Sequence, residues 1–286
     1  MKMTGTNKSE GKKQMPQNTS TLFKRTITGF IVTVITYAAI YFSHIGIVLP
    51  CFACIMGTLA VYEIFNITGM QDSRYPKAYL IAINIVFQFV PVPYYNEAIP
   101  IIMIVIVAVS VILLARFRKV QLSLPFAVIV SVCAILLIKT IPQLGMNDIG
   151  RSYLFLAVTA AFTSDTAAYI VGKSFGRTPF APAVSPNKTV EGFVGGTVAS
   201  AVILPLCGVF LNHYFEAQLE YPMLIIYGVI ISSVGFFGDI TMSAVKRVCR
   251  VKDFGTILPG HGGILDRYDS LLFISAFTLV LYTVSK

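Results

Sequence analysis

The sequence is short of charge. Only 12% of its 286 residues are Asp, Glu, Lys or Arg, and the acidic residues number just 13. A soluble domain of this length would be about one-quarter charged. Hydrophobic residues make up 56% of the chain, and the mean hydropathy is +0.76. This composition excludes an ordinary soluble protein and indicates an integral membrane protein.

Cysteine is also scarce, with five in the chain. Cys51 and Cys54 have the spacing of a redox or metal pair, but no second pair or histidine partner accompanies them. We therefore interpret the cysteines as helix-packing residues. The first 25 residues lack an apolar segment and are polar and basic. We expect no cleavable signal peptide there, and we interpret residues 1–25 as a disordered cytosolic tail.

Long apolar runs occupy most of the remaining chain. A helix needs roughly 17 to 25 apolar residues to cross a bilayer, whereas the alternating pattern of a membrane barrel is absent. We predict an all-α polytopic membrane protein with about nine transmembrane helices, forming one domain over residues 26–286. The predicted spans are Thr26–Phe42, Gly46–Ile67, Ala78–Val92, Ile99–Ala115, Leu122–Ile138, Tyr153–Val171, Gly192–Leu211, Met223–Gly238 and Tyr268–Val284.

The distribution of basic residues supports nine spans with a cytosolic N-terminus. Under that topology, 19 of the 22 Lys and Arg residues fall on the cytosolic side, as the positive-inside rule requires. The opposite side carries Lys139, Arg151 and Lys286. The two most strongly charged connectors, residues 172–191 and 246–269, are both predicted to be cytosolic.

Before each of these connectors, an acidic residue lies at or near the end of a predicted span. These residues are Asp165 and Asp239, and acids in membrane helices generally face a polar interior, so both are functional-site candidates. Asp239 precedes Ser243 by four residues and therefore shares its helix face. Glu63 is a third such acid without a motif around it. For Glu63 we expect a structural hydrogen bond or ion pair between helices.

The 246–269 connector combines phosphate-binding and metal-binding residue types. Its glycines at positions 260, 262 and 263 surround His261 and permit a ligand to approach backbone amides. Asp266 and Asp269 follow, and such carboxylates hold Mg²⁺ while substrate phosphates complete its shell. A loop that merely contacts anionic lipid would account for the cations but not for these acids. The cations are Lys246, Arg247, Arg250 and Lys252, and they suit phosphate groups.

The 172–191 connector adds a second set of candidates. Residues 185–187 (Ser-Pro-Asn) predict a turn into a helix, with Lys188 and Glu191 one turn apart at its start. A helix start beside hydroxyl and amide donors suits a phosphate, so Lys188 is a candidate ligand. Gly192 and Gly196 have the spacing that lets membrane helices pack closely, and packing is the simpler interpretation of them.

Together these motifs resemble phosphatidate cytidylyltransferases, also called CDP-diacylglycerol synthases. The resemblance runs from about Phe23 to the C-terminus, and its main block covers 27 residues with the family's spacing intact. Val190 and Met242 depart from the pattern, where an aromatic residue and Glu are expected. The main block is Ser243-x-x-Lys246-Arg247, Lys252-Asp253 and Pro259-Gly-His261-Gly262-Gly263-x-x-Asp266-Arg267-Tyr268-Asp269. Further similar blocks are Lys24-Arg25-x-x-x-Gly29, Asp165-Thr-Ala-Ala-Tyr169 and Ser185-Pro-Asn-Lys188-Thr-Val-Glu191-Gly192.

The resemblance implies transfer of the cytidylyl group of CTP to phosphatidate, giving CDP-diacylglycerol and pyrophosphate. Such a protein aligns two anionic substrates and neutralises developing charge, and a pair of Mg²⁺ ions would lower the repulsion between them. The implied metal ligands are Asp239 and Asp266, supported by Asp165 and Asp269. The implied catalytic residues are Asp239, Asp266, Lys246 and Arg247. The implied substrate-binding residues are Lys188, Glu191, Ser243, His261, Gly262, Gly263 and Arg267, although His261 also has a simpler interpretation as a turn-stabilising residue.

Three other functions remain open at this point. A CTP-dependent polyprenol or dolichol kinase would transfer the γ-phosphate of CTP. A CDP-alcohol phosphotransferase would consume CDP-diacylglycerol, but its Asp-Gly-x-x-Ala-Arg motif is absent from the chain. A transporter would place polar residues near mid-membrane, often in paired repeats, whereas the polar residues here collect at one predicted surface.

The expected partners follow from this interpretation. We expect CTP, phosphatidate and membrane lipids, and no nucleic acid. A homodimer is left open, because the spacing of Gly192 and Gly196 suits packing between chains as well as within one. The compact length and short tail favour a bacterial plasma (inner) membrane with the active site on its cytosolic side. There the net charge of +9 would attract both anionic substrates.

Overall fold

The structure is a computed structural model that describes residues 19–90, 124–215, 217–258 and 262–284. Helices account for most of these residues, with a short 3-10 turn at Phe42–His44 and one β-hairpin. The helices are α1 (Thr19–Tyr41), α2 (Val48–Ile67), α3 (Arg74–Phe89), α4 (Leu124–Leu144), α5 (Asp148–Phe175), α6 (Val190–Phe215), α7 (Tyr221–Val248) and α8 (Leu265–Val284). The hairpin pairs β1 (Pro179–Ala181) with β2 (Ser185–Thr189) in antiparallel register.

Seven of the described helices are long and apolar enough to cross a membrane, namely α1, α2 and α4 to α8. This confirms a helical, polytopic membrane protein, and each of the seven overlaps a predicted span. The predicted span Ala78–Val92 corresponds to α3, whose 16 residues fall short of a full crossing. The predicted span Ile99–Ala115 lies outside the described residues. The predicted count of about nine is therefore not confirmed.

The hairpin corrects the prediction for residues 185–188. We predicted a turn running directly into a helix at Lys188, but Ser185–Thr189 is a strand and α6 begins at Val190. Pro186 explains the extended backbone, because proline disfavours helical geometry in the residue before it. The Thr189 side chain then accepts a hydrogen bond from the backbone N–H of Gly192 at 3.1 Å and caps α6. Lys188 thus lies on a strand rather than within a helical turn.

Helix α8 is the most buried of the seven described helices that could cross a membrane, with 67% of its span inside the protein. Hydroxyl groups link it to helices on several sides, which is how membrane helices commonly associate when lipid supplies no hydrophobic drive. The three links are Tyr268 to Thr36 at 2.7 Å, Ser275 to Thr140 at 2.8 Å and Thr278 to Tyr227 at 2.8 Å. Because α8 is held on these sides, the residues at its N-terminus have a well-defined position.

Two groups of charged residues lie at opposite ends of the helices. The last turns of α7, the hairpin and the first turns of α8 carry Lys188, Asp239, Lys246 and Asp266, which contact one another in pairs. Lys139 and Arg151 instead line a cavity of about 290 Å³ at the other end of the helices. This arrangement places the polar residues of the two charged connectors at one end of the molecule.

Two glycines of α6 allow it to approach α5 closely. A Cβ atom at Gly192 would lie 2.7 Å from the carbonyl oxygen of Ala168, and one at Gly196 would lie 2.7 Å from that of Ser164. The packing interpretation of this glycine spacing is therefore confirmed within a single chain. Since the spacing is used between α5 and α6, it no longer argues for a homodimer.

This close approach makes a stability prediction. Gly196→Val should lower the free energy of unfolding by about 1 to 3 kcal/mol, because the new side chain has to displace the α5 backbone. Thermal unfolding in detergent measures the loss. Val198→Leu is the matched control on the same helix, since Val198 is 57% exposed, and it should change stability by less than about 0.5 kcal/mol. Equal melting temperatures for both variants would contradict the packing.

Candidate active site

The hairpin brings Lys188 to the last turns of α7. Its Nζ atom lies 2.5 Å from Oδ2 of Asp239 and 4.7 Å from the ring centre of Phe236. The other carboxylate oxygen of Asp239 accepts a hydrogen bond from the hydroxyl of Ser243 at 3.2 Å, which confirms that the two residues share a helix face. Both oxygens of Asp239 therefore have partners, one of them a cation.

A second lysine–carboxylate pair lies between α7 and α8. Lys246 Nζ donates to Oδ1 of Asp266 at 2.8 Å and lies 3.9 Å from Oδ2 of Asp269. Oδ2 of Asp266 accepts the backbone N–H groups of Phe254 at 2.7 Å and Gly263 at 2.9 Å. The side chains of Lys246 and Asp266 are only 10% and 2% exposed. Burial of this pair is tolerable because both oxygens of Asp266 are satisfied.

Asp165 of α5 completes a group of carboxylates with Asp239 and Asp269. Its Oδ2 accepts the hydroxyl of Ser270 at 2.9 Å, while Oδ1 of Asp269 accepts the backbone N–H of Ser270 at 2.8 Å. The repulsion among the three acids is offset by Lys188 and Lys246. Asp165 is exposed, whereas Asp269 is buried. The site therefore groups carboxylates from α5, α7 and α8, with Ser270 hydrogen-bonded to two of them.

Arg247 and Glu191 hold the hairpin in place. Arg247 donates from Nε to the carbonyl of Val184 at 2.9 Å and from Nη1 to that of Val251 at 3.0 Å. Glu191 accepts the backbone N–H groups of Arg177 at 3.1 Å and Thr178 at 3.2 Å. The contact of Arg247 with Val184 joins residues 63 apart in the chain, so local sequence patterns do not predict it. A role in substrate binding remains a prediction for both residues.

Three more of the predicted site residues lie around the start of α8. Gly262 has a φ of +84°, and a Cβ there would lie 2.8 Å from Oδ2 of Asp266, so this position requires glycine. Gly263 contributes the N–H that Asp266 accepts. The Arg267 side chain is exposed. His261 lies outside the described residues.

Ser270 and Glu63 make contacts in the site that the sequence alone does not reveal. No motif identifies Ser270, although its position directly after Asp269 is a usable signal. Glu63 is 1% exposed and accepts the backbone N–H groups of Ile264 at 2.7 Å and Leu265 at 3.0 Å. The expected structural hydrogen bond of Glu63 is thus confirmed, and its partner is the start of α8.

The carboxylates suit a metal ion that binds together with substrate. They suit less well a metal ion that is enclosed by protein ligands alone. Within the described ranges, no three His, Cys, Asp or Glu side chains are close enough to enclose an ion. Mg²⁺ usually takes one or two carboxylates together with substrate phosphates and water. Asp239 and Asp266 each already contact an ammonium group, so both positions accommodate positive charge. The donor set is therefore compatible with Mg²⁺.

The cysteines do not take part in this site. All five lie within the described residues and form no disulfide. Cys249 follows α7 directly, but burial raises the pKa of its thiol to about 12. A thiol with that pKa stays protonated at neutral pH and is a poor nucleophile. This agrees with the interpretation of the cysteines as packing residues.

Residues 23–285 match the model of the cytidylyltransferase family. The chain belongs to the cytidylyltransferase family. Every described side chain of the candidate site lies within the matched residues.

Three bacterial relatives named phosphatidate cytidylyltransferase illustrate the similarity. The Bacillus subtilis protein is 42% identical over 137 residues, which are 48% of this chain and 49% of the relative. The Staphylococcus saprophyticus protein is 42% identical over 125 residues, 44% of this chain and 46% of the relative. These two alignments span about half the length of each relative. The Staphylococcus aureus protein (strain COL) is 30% identical over 263 residues, 87% of this chain and 95% of the relative.

The buried ion pair between Lys246 and Asp266 leads to a prediction about the stability of variants at these two positions. Lys246→Met should lower the free energy of unfolding by about 3 to 5 kcal/mol, because it leaves a buried carboxylate without its cation. Adding Asp266→Asn to that variant should recover part of the loss, since the uncompensated charge is removed. Unfolding of the two single variants and the double variant in detergent measures the coupling.

Lys252→Met is the control for this cycle. Lys252 is exposed on the same connector, so its removal should change stability by less than about 0.5 kcal/mol. Strictly additive losses in the double variant would show that Lys246 and Asp266 do not stabilise each other.

Proposed function

We propose that this protein transfers the cytidylyl group of CTP to phosphatidate, forming CDP-diacylglycerol and pyrophosphate. The observation that carries the proposal is the pairing of Lys188 with Asp239 and of Lys246 with Asp266 at one end of the helices. Ammonium groups beside carboxylates are the elements needed to bind phosphates and a divalent cation together. Membership of the cytidylyltransferase family and the names of the relatives support the same reaction.

In this reaction a phosphate oxygen of phosphatidate attacks the α-phosphorus of CTP. The bond from that phosphorus to the oxygen bridging the β-phosphate breaks, and pyrophosphate leaves. The attacking phosphate monoester is already anionic at neutral pH, so no protein base is required. The protein instead has to align two anions and offset their charge. Lys188, Lys246 and the exposed Arg267 are the cations that we propose for this role.

We propose that the reaction depends on Mg²⁺, held as two ions by Asp239 and Asp266 with Asp165 and Asp269 in support. Bound Mg²⁺ would neutralise triphosphate charge and reduce the repulsion between the substrates. Lys188 and Lys246 neutralise these carboxylates in the structure. If the carboxylates held metal, Lys188 and Lys246 would be the cations available to contact the substrate phosphates.

We also propose that the site end of the helices faces the cytosol of a bacterial cell. The charge split of the sequence supports this orientation, and the relatives come from bacteria. CTP is a cytosolic nucleotide, and the phosphatidate headgroup lies at the membrane surface, so both substrates would reach the same end. The net charge of +9 would raise the local concentration of both anions.

Labelled CTP tests the reaction directly. Purified protein is given phosphatidate, Mg²⁺ and CTP that carries label in either the α- or the γ-phosphate. The proposal expects label in the lipid from the α position only. Label from the γ position would identify a kinase, and an unlabelled lipid in both reactions would favour transport or a different acceptor.

Asp239→Asn should reduce turnover by on the order of 100-fold or more, because it removes charge from the proposed metal and substrate site. The variant should still insert and fold, as judged by its melting temperature in detergent. Asp148→Asn is the matched control, since the Asp148 side chain is 90% exposed and lies at the first turn of α5, away from the site. Near-normal turnover in Asp239→Asn would remove Asp239 from the site.

A further inference from the structure

Two carboxylates hold three consecutive backbone amides at the start of α8. Gly263 N–H donates to Asp266, and Ile264 N–H and Leu265 N–H donate to the two oxygens of Glu63. Helix N-termini leave such amides without partners inside the helix, and negative charge is favourable there. Asp266 belongs to α8 itself, but Glu63 comes from α2, so it ties α8 to a distant part of the fold.

The surroundings of Glu63 are shaped around its carboxylate. A Cβ atom at Gly255 would lie 2.9 Å from Oε1 of Glu63, and one at Gly263 would lie 2.5 Å from the same oxygen. Gly255 and Gly263 therefore both pack against the Glu63 carboxylate, and neither position has space for a larger residue. At 1% exposure, Glu63 is separated from solvent. It is accordingly not available to bind substrate in this arrangement.

The backbone that Glu63 fixes is the backbone that orients Asp266. Oδ2 of Asp266 accepts N–H groups from Phe254 and Gly263, which immediately precede Gly255 and Ile264. Oδ1 of Asp266 in turn holds Lys246 at 2.8 Å. A displacement of this connector would therefore move both a proposed metal ligand and a proposed phosphate-binding cation.

We infer that Glu63 is a positioning residue of the active site, which holds the backbone at Gly255 and at residues 263–265 so that Asp266 and Lys246 keep their geometry. The effect on catalysis rests on the proposed function. The contact between Glu63 and the backbone does not depend on it. Small displacements of catalytic groups reduce rate strongly even when binding is retained. Glu63 should therefore affect turnover more than the affinity for the lipid substrate.

The test combines hydrogen exchange with kinetics in Glu63→Ala and Glu63→Gln. In Glu63→Ala, amide exchange in the peptide spanning residues 262–266 should become at least about tenfold faster, because two amides lose their acceptors. The kcat should fall by at least about tenfold, with the KM for phosphatidate within about threefold of its original value. Glu63→Gln keeps one acceptor oxygen and should lie between the two in both measurements.

Asn84→Ala is the matched control. Asn84 is fully buried and donates to the carbonyl of Cys54 on α2 at 3.0 Å, so its loss weakens α2 packing without touching the connector. It should lower the melting temperature but leave both kcat and exchange in the 262–266 peptide within about twofold.

Each of four results would overturn the inference in whole or in part. Unchanged exchange in Glu63→Ala would disprove the contact in the membrane protein. Faster exchange with a normal kcat, or a kcat loss no larger than that of Asn84→Ala, would make Glu63 a structural residue only. Absence of CTP-dependent transfer in the unmodified protein would instead overturn the proposed function and the catalytic role with it, while the exchange comparison would still decide whether the contact exists.

Discussion

The ion pair between Lys246 and Asp266 lies almost wholly inside the protein. The free-energy cost of burying these two charges determines which groups must surround them. A buried carboxylate is stable only if it has a cation and hydrogen-bond donors, and Asp266 receives three donors in all. Two of these are the backbone amides of Phe254 and Gly263, both within the 246–269 connector. The described parts of the connector therefore pack around Asp266, and Glu63 stabilises the same backbone from α2.

This arrangement links the membrane-embedded core to the polar end of the molecule. Helix α8 is fixed by hydroxyl contacts to α1, α4 and α7, so Asp266 and Asp269 extend from the most buried of the seven described helices that could cross a membrane. Asp239 and Lys246 occupy the last turns of α7, and the hairpin adds Lys188. The reactive groups are thus carried by packed helices, while the hairpin is anchored by Arg247 and Glu191.

Much of the fold could be predicted from the sequence because lipid imposes a simple rule on helix length and polarity. That rule located seven membrane helices but does not describe α3, whose 16 residues carry buried polar side chains such as Asn84 and Gln88. It also says nothing about strands outside the membrane. The hairpin depends on the extended backbone near Pro186 and on contacts with Arg247, which a local pattern does not contain.

The site was predicted as a set of residues rather than as a set of contacts. Helical spacing was sufficient to place Ser243 beside Asp239, because four residues make about one turn. Spacing does not reveal that Lys188 pairs with Asp239, that Lys246 pairs with Asp266, or that Glu63 meets the start of α8. Each of these contacts joins segments that are distant in the chain, so tertiary structure is required to find them.

We propose that the paired lysines and carboxylates form one site for CTP and a divalent cation. Equilibrium binding of CTP to the purified protein, with Mg²⁺ or with EDTA, tests this proposal. We expect that CTP binds with Mg²⁺, that EDTA weakens binding by at least about tenfold, and that Asp239→Asn removes this dependence. Equal CTP affinity with and without the metal, in both the unmodified protein and Asp239→Asn, would contradict it.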